Sequence, residues 1–340
     1  MSKILVLSES DINSILNMKM AIDAVEDVYI QKYNGSGVLF PMVFHEFEPG
    51  VADMDIKSGH LGSSDVYGLK LVSWFLNNTD KNLPQIYGTT LLFDDKTGEP
   101  IALLNAGGVT GMRTGAAGAI GGKYLARKDS KVLLVVGVGE QCPYQIAASL
   151  ITIESLENVY IVNPNNPEKA EERLELIKDK VAELLNCANV KKDYSIDFSL
   201  DIEIATKESD IIITVTPSQE LMIKDEWVKD GTQFSCVGAD MSGKQEIDES
   251  ILKRAKIFVD DIQQSISVGE CECAVKNNLI SKGDIAGEIG ELISGDVLGR
   301  ENDDEITVFD STGIALQDLL VSKMIYDAAV KVQIGTYVEL

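Results

Sequence analysis

Residues 131–141 read KVLLVVGVGEQ. Val132 to Val136 form an unbroken apolar run with the length and β-branched content of a buried strand. The run closes on Gly137 and Gly139, and QIAASLITI (145–153) follows with a helical pattern. Glycines between a strand and a helix let the backbone approach a pyrophosphate, whose charge is favoured at the helix N-terminus. A G-x-G alone is equally a tight turn. The strand before it and the helix after it favour dinucleotide binding. The third glycine of the usual fingerprint falls at Cys142, still small enough for close helix-on-strand packing.

The alternation continues downstream. NVYIVN (158–163), SDIIITVTP (209–217), GTQFSCVGAD (231–240) and AKIFVDD (255–261) read as strands. PEKAEERLELIKDKVAELL (167–185) reads as a long amphipathic helix. Strands separated by helical patterns imply βαβ units and a parallel sheet. The second strand ends on Asn163, where the fingerprint expects an acid on the adenosine ribose. Asn163 can hydrogen-bond a ribose without repelling a 2′-phosphate, and Lys169 is the nearest cation in that loop. NAD and NADP both stay open as cofactors.

Upstream, the first ~125 residues mix helix and strand patterns. SDINSILNMKMAIDAVEDVYIQKYNG (10–35) is helical, with Ser10 or Asp11 able to cap and Asn34-Gly35 to stop it. GLKLVSWF (68–75) and YGTTLLFDDKTGEPIALLNA (87–106) alternate as strands around a turn at 95–98. TGMRTGAAGAIGGKYLARKD (110–129) reads as a small-residue helix, and residues 40–65 as a loop. The tail, DLLVSKMIYDAAVKVQIG (318–335), is an amphipathic helix expected to pack back on the first domain. The expected fold is therefore α/β: a Rossmann-type parallel-sheet domain at 128–311, and a discontinuous α+β domain made of 1–127 and 312–340.

The formal charge is -24, from 54 acidic and 30 basic residues. That balance argues against nucleic acid and anionic membrane as partners, since both need a basic footprint. No apolar run reaches the ~20 residues of a membrane span. The apolar stretch at the N-terminus is shorter than a signal-peptide core, so a cytoplasmic protein is expected. Five sparsely spaced cysteines and only two histidines, His45 and His60, give no metal-binding pattern, and no metal site is expected.

Taken singly, the polar candidates have ordinary readings. Lys70 could be a solvated strand residue, Arg113 could pair locally, and Asp240 could open a turn. In combination, YGLKLVSW, GMRTGAAGAIGGKYLARKDS, GVGEQ, VGADMSGKQEID and GRENDDEITVFDSTGIALQDL resemble the ornithine cyclodeaminase/mu-crystallin family, from about residue 60 to the end. The resemblance implies a Rossmann domain joined to a substrate-binding and dimerising domain, and a homodimer. It implies an NAD(P)-dependent oxidoreductase acting on an α-amino or α-imino acid, as imine reductase or amino acid dehydrogenase. Two alternatives accompany it: a cyclodeaminase converting ornithine to proline and ammonia, and a non-catalytic, mu-crystallin-like binding protein.

By that resemblance, Lys70 contacts the substrate carboxylate, Arg113 lies near both carboxylate and nicotinamide, and Asp240 matches the catalytic aspartate of the cyclodeaminase branch. Thr114, Gly137, Gly139, Glu140, Gln141 and Asn163 fall on the phosphate and ribose side of the cofactor. Thr216, Val237, Gly238, Ala239, Lys244 and Ser311 complete its site. A planar Arg beside a Lys suits a carboxylate, and a nearby carboxylate can manage the proton on nitrogen. The chain departs from the family at one point: no Arg or Lys occurs between Gly35 and Lys57, where many members carry a further clamp arginine. Either that arm is missing or His45 replaces it. Asp55 falls near the family glutamate that holds a distal amine, although Lys57 beside it would repel one.

Overall fold

The computed structural model describes residues 3–340, which divide into two units: residues 3–113 with Ile314–Leu340, and Thr114–Gly313. In chain order the first unit contributes β1 (Lys3–Leu7), α1 (Glu9–Ile15), α2 (Met18–Tyr33), β2 (Gly37–Leu39), β3 (Val43–Glu48), β4 (Ala52–Leu61), β5 (Val66–Phe75), β6 (Ile86–Asp94) and β7 (Pro100–Asn105). Helix α3 (Gly107–Leu125) crosses the division. The second unit follows with β8 (Val132–Val136), α4 (Cys142–Thr152), β9 (Asn158–Val162), α5 (Glu168–Cys187), β10 (Ser195–Phe198), α6 (Ile202–Glu208), β11 (Ile211–Thr214) and β12 (Gln233–Cys236). It ends with α7 (Glu249–Arg254), β13 (Ala255–Val259), α8 (Ile262–Val268), α9 (Cys271–Lys276), β14 (Ile285–Glu288), α10 (Ile289–Ser294) and β15 (Ile306–Asp310). The chain then returns to the first unit as α11 (Ala315–Val332) and β16 (Thr336–Glu339).

The second unit is built on an all-parallel sheet in the order β10-β9-β8-β11-β12-β15-β13-β14. Its first five strands in sequence follow the dinucleotide-fold order, reversing direction of travel between β8 and β11. Leu133 to Val136 have no exposed surface, as expected of a strand covered on both faces. The second half of α3 packs closely here: a Cβ at Gly118 would sit 2.1 Å from the Gln145 Oε1, and one at Gly121 2.5 Å from the Ser235 Oγ. Strands β10, β14 and β15 are not among those read from the sequence.

The first unit carries a mixed sheet, β16-β1-β7-β6-β5-β4-β2, with β3 paired to β4. Helix α11 covers one face, on which Gly59 and Gly68 admit Leu316 and Leu319. Two local expectations are corrected. The cap of α1 is Ser8, because Asp11 serves three residues later as the reciprocal half of a capping box. Residues 40–65 are not a loop but contain β3 and β4, whose charges at Asp53, Asp55 and Lys57 hide the strand pattern. Among the described residues, no helix is long and apolar enough to cross a membrane.

Candidate active site

In the second unit, three loops meet at the C-terminal edge of β8, β11 and β12, where open parallel sheets bind ligands. Gly137 has φ +112°, and its amide donates to the Val162 carbonyl at 2.9 Å, tying the first loop to the end of β9 and to Asn163 beyond it. A Cβ on Gly137 would lie 2.9 Å from the Thr216 Cγ2, so the loop after β8 touches the loop after β11. A Cβ on Gly139 would meet nothing within 4 Å. That open concavity precedes α4, whose cap residue Gln141 makes no side-chain capping bond. The Gln141 Oε1, Gln145 Oε1 and Thr114 Oγ1 are buried without a partner, and the Gln145 amide donates to the Thr114 carbonyl at 2.9 Å. Open glycine backbone, an uncapped helix start and orphaned polar atoms fit a pyrophosphate. Glu140 is exposed and accepts from Arg173 of α5 at 2.9 Å, a cation beside the loop that sequence spacing did not reveal.

The loop after β12 carries Val237, Gly238, Ala239 and Asp240. Asp240 is about half exposed and accepts from Lys244 at 2.5 Å, which keeps a carboxylate at the loop surface. This loop is pinned from below by buried acids. Glu246 accepts from the Thr216 amide (2.7 Å), the Thr216 hydroxyl (2.9 Å) and the Gly238 amide (3.0 Å). Glu272 accepts from the Ser242 hydroxyl and the Gly243 amide. Ser311, by contrast, is buried, and its hydroxyl is committed to Asp260 at 3.2 Å.

In the first unit, Lys70 and Arg113 converge on one residue that the sequence reading missed. The Lys70 Nζ and Arg113 Nε donate to the same Asp318 Oδ1, at 3.0 and 3.2 Å. All three side chains are buried. The Arg113 Nη1 also donates to the Gln317 Oε1, and the Gln317 amide donates to the Tyr29 hydroxyl. Burial pushes Lys70 down to about 8, against the pull of Asp318 and with the push of Arg113. Burial also opposes the Asp318 charge, but Arg113 and Lys70 outweigh it and hold that carboxyl below its ordinary value. Two cations against one carboxylate leave one buried positive charge unmatched. The Asp318 Oδ2 and Thr90 Oγ1 are buried without partners, and Thr90 stands across the ladder from Lys70. The signal for Asp318 was there: a lone acid inside the apolar run ALQDLLV.

The ladder separates the remaining candidates. Lys57 lies directly across from Lys70, and Asp55 two residues along, so both share the Lys70 face. His45 pairs with Met54, one step out of phase, and points to the opposite face, where it packs against Phe47. It is not brought to Lys70 and Arg113. Histidine His60 is tied to Asp95 at 3.0 Å.

The ornithine cyclodeaminase/mu-crystallin family model matches residues 2–333. An archaeal alanine dehydrogenase dimer with bound NAD is 35% identical, covers 99% of both chains and superposes with a TM-score of 0.85. The iminosuccinate reductase of Paracoccus denitrificans in complex with NAD+ is 33% identical over 99% of this chain and 100% of that one, with a TM-score of 0.89. The Δ1-pyrroline-2-carboxylate reductase of Thermococcus litoralis, in complex with NADH and L-proline, is 31% identical over 98% of this chain and 99% of that one, with a TM-score of 0.88.

Proposed function

The chain belongs to the ornithine cyclodeaminase/mu-crystallin family, and from that membership we propose that it is an NAD(P)-dependent oxidoreductase of α-amino and α-imino acids. The observation that carries the substrate class is the buried Lys70–Arg113 pair sharing Asp318. Its unmatched positive charge suits a substrate carboxylate, which the planar guanidinium can bind with two parallel bonds. The cofactor would be held by Gly137, Gly139 and Gln141 at its phosphates, by Asn163 at the ribose, and by Thr216 and Val237 to Ala239 at the nicotinamide. When bound, it supplies or accepts the hydride at the substrate α-carbon. Lys70 and Arg113 fix the carboxylate end. Asp240, beside Lys244, accepts or returns the proton on the substrate nitrogen.

Net oxidoreduction is favoured over cyclodeamination because Asp55, the acid that would hold a distal amine, has the cation Lys57 as a neighbour on the same face. The discriminating assay follows NAD(P)H absorbance with cyclic imino acids, and with 2-oxo acids plus ammonia. Steady consumption supports the proposal. Proline and ammonia formed from ornithine without net NAD(P)H change would refute it. Asp240→Asn is expected to stop turnover and leave cofactor binding intact.

The assembly belongs to the same reading: a homodimer formed through the sheet face opposite α11. Val43, Phe47, Leu71, Phe75 and Tyr87 expose apolar surface there, on one contiguous face. A patch of this kind calls for a partner surface, and a second copy supplies a self-complementary one.

A further inference from the structure

Below the loop that carries Asp240, the second unit holds a row of buried carboxylates that the reaction itself does not use. Glu246, Glu270 and Asp310 are each essentially without exposed surface. They are linked through backbone amides. Glu270 accepts from the amides of Glu246 and Ile247 at 3.0 and 2.8 Å. Asp310, at the end of β15, accepts from the amides of Glu270 and Cys271, both at 3.1 Å. The row ends in Glu246, whose carboxylate receives three donors from two different loops: Thr216 after β11, and Gly238 after β12. The fit is tight, since a Cβ on Gly238 would lie 2.5 Å from the Glu246 Oε2 and 2.3 Å from the Thr216 carbonyl.

We propose that Glu246 is a positioning residue for the nicotinamide end of the cofactor site, clamping the Thr216 and Gly238 loops at one fixed separation, with Glu270 holding Glu246 in place. This rests on the reading that these two loops face the nicotinamide. All three bonds to Glu246 are made by donors, so the site wants an acceptor on both oxygens. A proton on Glu246 turns one oxygen into a donor facing an N–H or O–H and slackens one loop. Burial pushes Glu246 up to about 7, against the hydrogen bonds from Thr216 and Gly238. The other titratable groups around it are Glu270, Asp310 and the Cys236 thiol, all buried, and Glu246 raises both Glu270 and Cys236. The clamp is therefore set to loosen as pH falls through neutrality.

The test is a fluorescence titration of NADH and NADPH against wild type and Glu246→Gln, from pH 6 to 8, with near-UV circular dichroism to check folding. Glutamine keeps the volume but presents an NH2 where an acceptor is needed. Wild type should lose affinity as pH drops through about 7. The variant should bind about tenfold more weakly at pH 8 and vary little with pH. A residue of merely structural value would lower the melting temperature without flattening that profile. Equal affinity and an equal profile in the two proteins would overturn the proposal. If the variant does not fold, wild type alone decides: affinity constant from pH 8 to 6 overturns it. Wild type that binds neither cofactor at any pH would remove the functional reading beneath it, a failure distinct from a flat profile.

Discussion

At the scale of single residues, Asp318 organises the proposed substrate end. It is the shared acceptor of Lys70 and Arg113, and its removal leaves two buried cations without a counter-charge. Breaking a buried pair in this way costs roughly 3–5 kcal/mol. Asp318→Ala is therefore expected to lower the melting temperature markedly, and calorimetry would show it. Lys70 gives a pH signature with a definite sign. Its folded value of about 8 lies below the ordinary lysine range, so the cation is present below that pH and lost above it. Substrate kcat/KM should fall as pH rises through about 8, by a limited factor because Arg113 stays charged. Lys70→Arg, which cannot deprotonate in this range, should flatten the alkaline limb. A limb that persists in that variant would assign it to another group.

At the scale of elements, β3 to β6 act as a two-sided device. One face carries Asp55, Lys57, Lys70 and Thr90 beneath α11, and the other carries an apolar patch. The period of two separates the roles: neighbours along a strand serve opposite faces. Leu71, next to Lys70, belongs to the patch. On the proposed homodimer interface, Leu71→Glu should reduce the mass seen by light scattering to that of a monomer and leave the Lys70 cluster intact. An unchanged mass would place the dimer contact elsewhere. The same alternation explains what could be read beforehand. β8 (VLLVV) and β11 (IIIT) are almost wholly buried, mostly apolar runs that stand out in the sequence, while β12 (QFSC) is equally buried but half polar. β4 carries charges on its inner face, so its inward pattern looked like a loop. His45 was a reasonable substitute for a missing arginine by residue type, but register decides the face, and register is a pairing property that one strand does not reveal. Asp318 and Glu246 were hidden for a related reason, since each has a partner at least thirty positions away.

At the scale of the whole molecule, the buried carboxylates set a pH dependence of stability. Burial raises Glu246 to about 7 and Asp310 to about 6, above their values in an unfolded chain. The folded state then binds more protons than the unfolded state between the ordinary carboxylate range and neutrality, so stability falls as pH rises through that window. Glu246 alone accounts for about 3 kcal/mol. Asp318 and Asp210 are shifted downwards and act at lower pH, outside it. The cofactor-free protein is expected to melt higher at pH 5.5 than at pH 7.5, and Glu246→Gln should reduce the difference. A melting temperature that climbs across this interval would contradict the account.

The proposed reaction passes a hydride between a nicotinamide and the α-carbon of a carboxylate-bearing substrate, with net turnover. Reduction of a cyclic imino acid with NADH deuterated at both C4 positions, followed by mass spectrometry of the product, tests it most directly. The account predicts one deuterium at the α-carbon and one NADH consumed for each amino acid formed. Product without deuterium, or turnover of an amino acid with no net change in the cofactor, would contradict it.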